Sequence, residues 1–357
     1  MTESKIGVAV LGCTGIVGQR LLSLLANHPF FEVAEVAASE KSAGKSLDEA
    51  IGSNRAGEID MNMAGMKVLS LREKLESRLV FSCLPGEVAG EVEERLAKEG
   101  KVVISKASAH RMEPDVPLLI PEVKPEQLSL IEIQRSRRDF RGALITDPNC
   151  TTIGLAIALK PIHDAFGVRE VIVTTMQALS GAGLPGVPAL SIADNVIPFI
   201  EKEEEKVCCE LKKILGRMRN GSVADASFSI HASCNRVPVS DGHLASVHVR
   251  MGKKADIGAV KKALASFSGL PQKLHLPSAP ERPIMVKEEA DRPQPRLDRD
   301  NGNGMAVTVG RVREGIDSAS VAFTILSHNL VRGAAGASVL DAELLVKNGM
   351  LGRIVGV

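Results

Sequence analysis

Residues 144–161, LITDPNCTTIGLAIALKP, place Cys150 between an Asp147-Pro148-Asn149 turn and a strongly apolar run. Asp-Pro-Asn is turn and N-cap chemistry, and the run after it predicts a helix, so the sulfur falls at or near a helix N-terminus. The positive end of the helix dipole favours thiolate over thiol there, and neighbouring backbone N–H groups can hold an oxyanion formed when that thiolate attacks a carbonyl. Most free cysteines are small buried hydrophobes, a use this position does not suggest. A nucleophile needs a partner that handles protons. Of the eight histidines, His28, His110, His163, His275 and His328 lie in segments without supporting polar groups. His231, His243 and His248 lie in SFSIHASCNRVPVSDGHLASVHVRM, two strand-like runs separated by a turn. His243 directly follows Asp241-Gly242 and comes shortly after Arg236. A base beside a cation able to hold a carboxylate suits a small acidic acyl substrate, while a hydrogen-bonded strand histidine is the alternative at that position.

The elements that must position these groups begin with KIGVAVLGCTGIVGQRLLSLLANHP, where a β-branched run leads through Gly12, Gly15 and Gly18 to leucines at helical spacing. This predicts strand, tight turn and helix. The spacing is G-x-x-G-x-x-G rather than the usual G-x-G-x-x-G, but the physical demand is the same: close approach of backbone to a pyrophosphate at a helix N-terminus. A second strand, FEVAEVAAS, ends at Ser39, with Lys41, Ser42 and Lys45 following. Hydroxyls and cations at that tip suit a 2′-phosphate and favour NADP, with Glu40 counting against it. RLVFSCLP, KVVIS, PLLIPEV and GALIT continue as strands and GEVAGEVEERLAKEG as a helix, so residues 1–147 predict an open α/β sheet.

Composition bounds the rest. A chain of 357 residues with 44% hydrophobic content predicts two domains. Lys plus Arg number 44 against 43 Asp plus Glu, which gives no long-range pull toward nucleic acid or anionic lipid. RSRRDFRG is basic but brief and is read as surface. The opening MTESKIGVAVLG enters strand-like sequence without a basic start and small-residue cleavage site, and no apolar run is long enough to span a membrane, so the expectation is cytoplasmic. Six scattered cysteines suit reduced thiols, and neither C-x-x-C nor H-E-x-x-H occurs, so no metal is expected. EKEEEKVCCELKKIL reads, on charge alone, as a solvated helix face.

Seven stretches together, GCTGIVGQR, AASEKSAGK, DPNCTTIG, QALSGAGLPGVP, CNRVPVSDGH, DRPQPRLDRDNGNGM and HNLVRGAAGAS, resemble in order and spacing the aspartate-semialdehyde dehydrogenases of the archaeal and fungal type. The resemblance runs over essentially the whole chain, and its Cys and His motifs are far more specific than the glycine turn. It implies an α/β protein with a Rossmann-type NADP-binding domain at 1–149, completed by a C-terminal helix at 328–357, and an α+β catalytic and dimerisation domain at 150–327. It implies Cys150 as acyl-thioester nucleophile, His243 as acid/base, Gln177 orienting the intermediate and Arg236 on the substrate α-carboxylate. Asn149, Arg111 and Lys206 are expected on phosphate and Glu203 on the substrate ammonium; Glu203 and Lys206 fall at i and i+3 of a helix, on one face. Gly12, Thr14, Gly15, Ile16, Val17, Ser39, Ser42, Cys83, Ser180, Gly181 and Asn329 are expected around NADP.

The implied reaction is reductive dephosphorylation of 4-phospho-L-aspartate by NADPH, releasing phosphate and L-aspartate 4-semialdehyde, a step toward lysine, methionine, threonine and isoleucine. A homodimer or homotetramer is implied. Three positions depart from the family pattern: Lys106 stands where Asn is usual, Asp147 replaces the more usual Asn before Pro148, and Leu244-Ala245 follows Gly-His where Thr-Glu is common. A related thioester reductase such as malonyl-CoA reductase, or an NADP-binding regulatory protein on the same scaffold, are the alternatives; the Glu203/Lys206 pair speaks against the first and retention of both Cys150 and His243 against the second.

Overall fold

The computed structural model describes residues 5–57 and 59–356. Met1 to Ser4, part of the opening read for a leader, and Val357, the C-terminal limit of the expected nucleotide domain, lie outside the described residues. Six strands, β1 (Ile6–Leu11), β2 (Phe31–Ala38), β3 (Val68–Ser70), β4 (Leu79–Ser82), β5 (Val102–Ser105) and β6 (Ala143–Thr146), form a parallel sheet in the order β3-β2-β1-β4-β5-β6. Successive residues of a strand face opposite sides. Val8 and Val10 of β1 accordingly join one core with Leu21, Leu22 and Leu25 of the helix Ile16–Leu25, while Ala9 and Leu11 join another with Ala89 and Leu96 of the helix Gly86–Lys98. Cover on both faces explains why these strands read as continuous apolar runs. The first core also takes in Val339, Leu340, Leu344 and Leu345 of the helix Gly336–Lys347; the single C-terminal helix expected from 328 onward is instead a π-turn, Val331–Ala335, this helix, and a last short one, Met350–Val355, begun at Gly349 in the left-handed region.

One expected strand does not form. PLLIPEV makes only a single bridge, Leu118 to Thr146, although Leu118, Leu119 and Ile120 are buried. Pro117 and Pro121 bracket the run and lack the N–H groups that a ladder uses, so the segment packs its apolar side chains as a loop.

The helix Cys150–Phe166 leads into a second sheet. Its strands are β7 (Val168–Gln177), β10 (Ser229–Arg236), β11 (His243–Met251), β12 (Ile284–Lys287), β13 (Val307–Glu314) and β14 (Ser320–Ser327), in the mixed order β10-β7-β11-β14-β13-β12; β8 (Arg217–Arg219) and β9 (Ser222–Ala224) form a separate hairpin. The helix Cys150–Phe166 lies against one face of the second sheet, and Gly154 sits so close that a Cβ there would be 2.8 Å from Ser327 Cβ. The other face is open: along β7, Val171, Val173 and Thr175 are buried while Ile172 and Thr174 are exposed. Among the described residues no helix is long and apolar enough to cross a membrane.

Candidate active site

β10 and β11, which the sequence suggests as neighbours across a turn, are separated by β7. That insertion builds the site. Arg236 ends β10, Gln177 ends β7 and is its register partner, and His243 opens β11, whose Leu244 pairs with Met176. Three polar side chains are thereby brought to one end of the sheet, on rigid strands rather than loops.

Cys150 is the first residue of the helix below them. Asn149 caps that helix, its Oδ1 accepting the Thr151 N–H at 2.9 Å and the Thr152 N–H at 3.3 Å. Cys150 Sγ lies 3.3 Å from His243 Nε2, and the ring's other nitrogen, Nδ1, accepts the Ala178 N–H at 3.1 Å. An acceptor Nδ1 leaves the single proton of a neutral imidazole on Nε2, facing the sulfur.

Burial and the Arg236 charge push His243 down to about 3, so the ring is neutral. Burial, then the Glu203 carboxylate, push the Cys150 thiol up to about 11 against the smaller pull of Lys106 and Arg111. The helix end does offer its N–H groups, but burial raises the thiol above its ordinary value, against the thiolate expected from the sequence. Cys83 and Cys13 are each driven up to about 12, chiefly by burial, which marks them as inert thiols.

The helix Glu203–Ile214 is not the solvated face that its charge suggests. Glu203 is buried and accepts from Asn149 Nδ2 at 3.0 Å, Gln177 Nε2 at 3.1 Å and Thr151 Oγ1 at 3.3 Å. Two turns on, Glu210 is also buried; it accepts the Asn149 N–H at 2.6 Å and Arg111 Nη1 at 2.8 Å. Glu210 was missed in the sequence, although its i+7 relation to Glu203 puts both on one helix face. Arg236 is buried, with Nη1 donating to the Ala178 carbonyl at 2.7 Å.

A cavity of about 670 Å³ joins the two halves. Its wall carries Cys150, Gln177, Asn149, Arg111, Glu203, Lys206 and Arg236 from the expected catalytic and substrate set, and Gly15, Ile16, Val17, Cys83, Ser180, Gly181 and Asn329 from the expected cofactor set. Gly12 and Thr14 shape the turn behind that wall: Gly12 has φ +71°, and a Cβ on it would lie 2.6 Å from the Cys83 carbonyl oxygen. Ser39 and Ser42 lie beyond the end of β2, off the cavity wall, with the Ser42 N–H bonded to Ser39 O. Glu40 accepts from Ser70 Oγ at 2.6 Å and lies 4.0 Å from Arg72, which draws its charge away from the serines and lysines. Asn329 links the halves, donating to Ser180 Oγ at 2.8 Å and accepting the Gly242 N–H at 2.8 Å.

A dinucleotide fits this cradle. The helix Ile16–Leu25 begins at the end of β1, beside the point where strand order reverses between β1 and β4; Gly15 caps it without a side-chain hydrogen bond, and no acidic residue lies in its first turn. Its leading N–H groups therefore remain for an anion, with the helix dipole favouring one. Gly181 serves close approach nearer the thiol: its N–H is bonded to Ala178 O, and a Cβ there would meet Arg236 Nη1 at 2.8 Å and His243 Cε1 at 3.0 Å. Gly333 was also unforeseen: it lies in a π-helical turn, Val331–Ala335, and a Cβ on it would be 2.7 Å from Cys150 Cβ.

Residues 7–131 match the family model described as semialdehyde dehydrogenase, NAD binding domain, and residues 159–332 match semialdehyde dehydrogenase, dimerisation domain. The chain is similar to the aspartate-semialdehyde dehydrogenase of Methanothermobacter thermautotrophicus, 50% identical over 345 residues, covering 95% of this chain and 99% of that protein. It is also similar to a malonyl CoA reductase (NADP) of Metallosphaera sedula, 39% identical over 97% of this chain and 98% of that one. Among solved structures, the aspartate semialdehyde dehydrogenase of Candida albicans with NADP superposes with a TM-score of 0.88 at 37% identity, over 97% of this chain and 100% of that chain.

Proposed function

The chain belongs to the aspartate-semialdehyde dehydrogenase family, and on that footing we propose how its residues divide the work. The enzyme carries out the NADP-dependent reductive dephosphorylation of 4-phospho-L-aspartate to L-aspartate 4-semialdehyde, a reversible step of amino-acid biosynthesis. The observation that carries the assignment of roles is the 3.3 Å contact between His243 Nε2, which lies behind the wall, and Cys150 Sγ, whose residue lines the cavity shared by the two sheets.

Cys150 attacks the acyl phosphate: the S–C bond forms, the C–O bond to phosphorus breaks, and the thiol proton leaves with inorganic phosphate. His243 meets the sulfur as a neutral donor, because Ala178 occupies Nδ1 and leaves the proton on Nε2. A donor at that point stabilises thiolate character as sulfur attacks and again as the C–S bond breaks, after which the sulfur takes up one proton and the thiol is restored. Bound reduced NADP supplies the hydride that takes the thioester to the aldehyde level. The chain's own task is to aim the acyl carbon at the sulfur and to exclude water from the thioester.

Arg236, buried and with most of its fork unassigned, takes the α-carboxylate. Glu203 takes the ammonium, exchanging its Asn149 and Gln177 donors for the substrate's N–H groups. Gln177, so freed, is placed to orient the acyl oxygen, and Arg111, Asn149 and Lys206 line the part of the cavity suited to phosphate. Gly15, Ile16 and Val17 with the Gly12 turn and Thr14 take the pyrophosphate, Ser39 and Ser42 the 2′-phosphate, and Cys83, Ser180, Gly181 and Asn329 the nicotinamide end.

We further assign residues 1–149 with 328–357 to a nucleotide domain and 150–327 to a catalytic domain, the enzyme acting in the cytoplasm. The open face of the second sheet, with Ile172 of β7 exposed, supports pairing of two copies there, alone or within a tetramer. The test is NADP reduction with aspartate semialdehyde and phosphate, beside NADPH oxidation with malonyl-CoA. The reading requires phosphate-dependent turnover that is lost in Cys150→Ser; turnover of malonyl-CoA in preference to the semialdehyde would reassign the substrate.

A further inference from the structure

Two of the departures noted in the sequence, Lys106 and Asp147, are partners in the fold. Lys106 follows β5 and Asp147 follows β6, adjacent parallel strands, so the two emerge side by side beneath the helix that begins at Cys150. Lys106 Nζ lies 3.6 Å from Asp147 Oδ2 and donates to the Gly333 carbonyl at 3.2 Å. Its side chain is 10% exposed, and it reaches the wall of the catalytic cavity. Gly333, the residue it grips, is the one whose backbone packs on Cys150.

A third group completes the cluster. Asp341, on the helix Gly336–Lys347, is wholly buried, and neither of its carboxylate oxygens nor Asp147 Oδ1 has a donor among the described residues. Burial and the adjoining Asp147 raise Asp341 well above the ordinary carboxylate range. A proton on Asp341, shared with Asp147, joins one oxygen of each carboxylate, leaves the second Asp341 oxygen without a donor, and leaves one negative charge opposite one ammonium. Burial pulls the Lys106 ammonium below its ordinary value and Asp147 holds it up; the other titratable groups around it are Arg111 and the Cys83 and Cys150 thiols, both uncharged at rest. Cys150 is faced in addition by Glu203, Arg111, Arg236 and His243. Of these, Glu203 opposes ionisation of the sulfur, and Lys106 is the leading cation against it.

We propose that Lys106, Asp147 and Asp341 are a buried charge-setting unit, in which Asp147 holds the Lys106 ammonium behind the nucleophile to stabilise the Cys150 thiolate. Lys106 is then a positioning residue for the reaction rather than a contact of the substrate. The inference rests on Cys150 being the nucleophile, but its test does not depend on turnover.

The test is the rate of alkylation of the free protein by iodoacetamide across pH, followed at Cys150 by peptide mass spectrometry, together with the thermal midpoint. Lys106→Asn removes the cation and leaves Asp147 buried with the Ser338 hydroxyl but no countercharge, so the midpoint falls and Cys150 alkylates about tenfold more slowly at pH 8, as an upward shift of about one pH unit requires. In Lys106→Asn/Asp147→Asn the two neutral amides restore the midpoint, while alkylation stays slow. That separation, stability recovered without reactivity, is the expected signature of charge setting. Wild-type alkylation in the double variant overturns the proposal and leaves the pair a structural one; the double variant decides the matter even if Lys106→Asn does not fold. Failure of Cys150→Ser to abolish turnover would instead remove the nucleophile reading itself.

Discussion

Replacing His243 by asparagine removes the Nε2–H that faces Cys150 Sγ at 3.3 Å and leaves the cysteine in place. With the thiol pushed up to about 11, roughly one molecule in 10⁴ carries thiolate at pH 7, because each unit is a factor of ten. Alkylation of Cys150 in the free wild-type protein should then climb about tenfold per pH unit from 7 to 10 with no plateau. A hydrogen bond to a charged acceptor contributes about 1.5–3 kcal/mol, so its loss in His243→Asn should slow alkylation at any pH in that range by about 10- to 100-fold. The assay is pseudo-first-order labelling with iodoacetamide, quantified on the peptide that carries Cys150. A plateau below pH 8.5 would mean that a thiolate is the resting form and that the helix terminus outweighs burial. An unchanged rate in His243→Asn would refute the donor role assigned to the ring.

The same ring predicts a stability profile. His243 is held down to about 3 from an ordinary 6.5, so it is neutral in the folded protein while the unfolded chain takes up a proton as pH falls below 6.5. Its contribution is complete above 6.5 and is lost as pH falls toward 3, by about 1.4 kcal/mol per unit at most; His243→Asn should show a shallower loss of denaturant midpoint between pH 6 and 4 than wild type, and parallel curves would contradict this. Gly181→Ala places a Cβ 2.8 Å from Arg236 Nη1 and 3.0 Å from His243 Cε1, and should lower kcat/KM for the semialdehyde by about 10- to 100-fold with a near-normal melting temperature. Lys213 is buried and its Nζ donates to the carbonyls of Arg111, Glu113 and Val116 at 2.6, 2.7 and 2.9 Å; Lys213→Met should cost about 2–5 kcal/mol in urea unfolding, and a loss below 1 kcal/mol would show those carbonyls to be satisfied otherwise.

The sequence by itself determined the parts that depend on near neighbours. The Gly12 turn between β1 and a helix is legible because its glycines stand between a β-branched run and leucines at helical spacing; the φ of +71° and the close approach of the distant Cys83 carbonyl are the structure's own reasons for glycine there. Cys150 at a helix start is legible because Asp-Pro-Asn before an apolar run is local cap chemistry, and Asn149 does cap that helix. His243 and Arg236 were legible as ends of two strand-like runs. Local pattern misled where two prolines interrupt PLLIPEV, since apolar content alone does not make a ladder.

Only the tertiary structure decided which of these groups meet and in what state of charge. It inserted β7 between β10 and β11, so that Gln177 stands beside Arg236 at the sheet edge where His243 begins. It buried Glu203 and Glu210 against Asn149 and Arg111, on a helix whose composition reads as solvated. It paired Lys106 with Asp147 across 41 positions of sequence. Strand order is set by the packing of whole layers, and the desolvation that keeps Cys150 protonated and His243 neutral arises from atoms far away along the chain. Neither quantity is carried by any single stretch of residues.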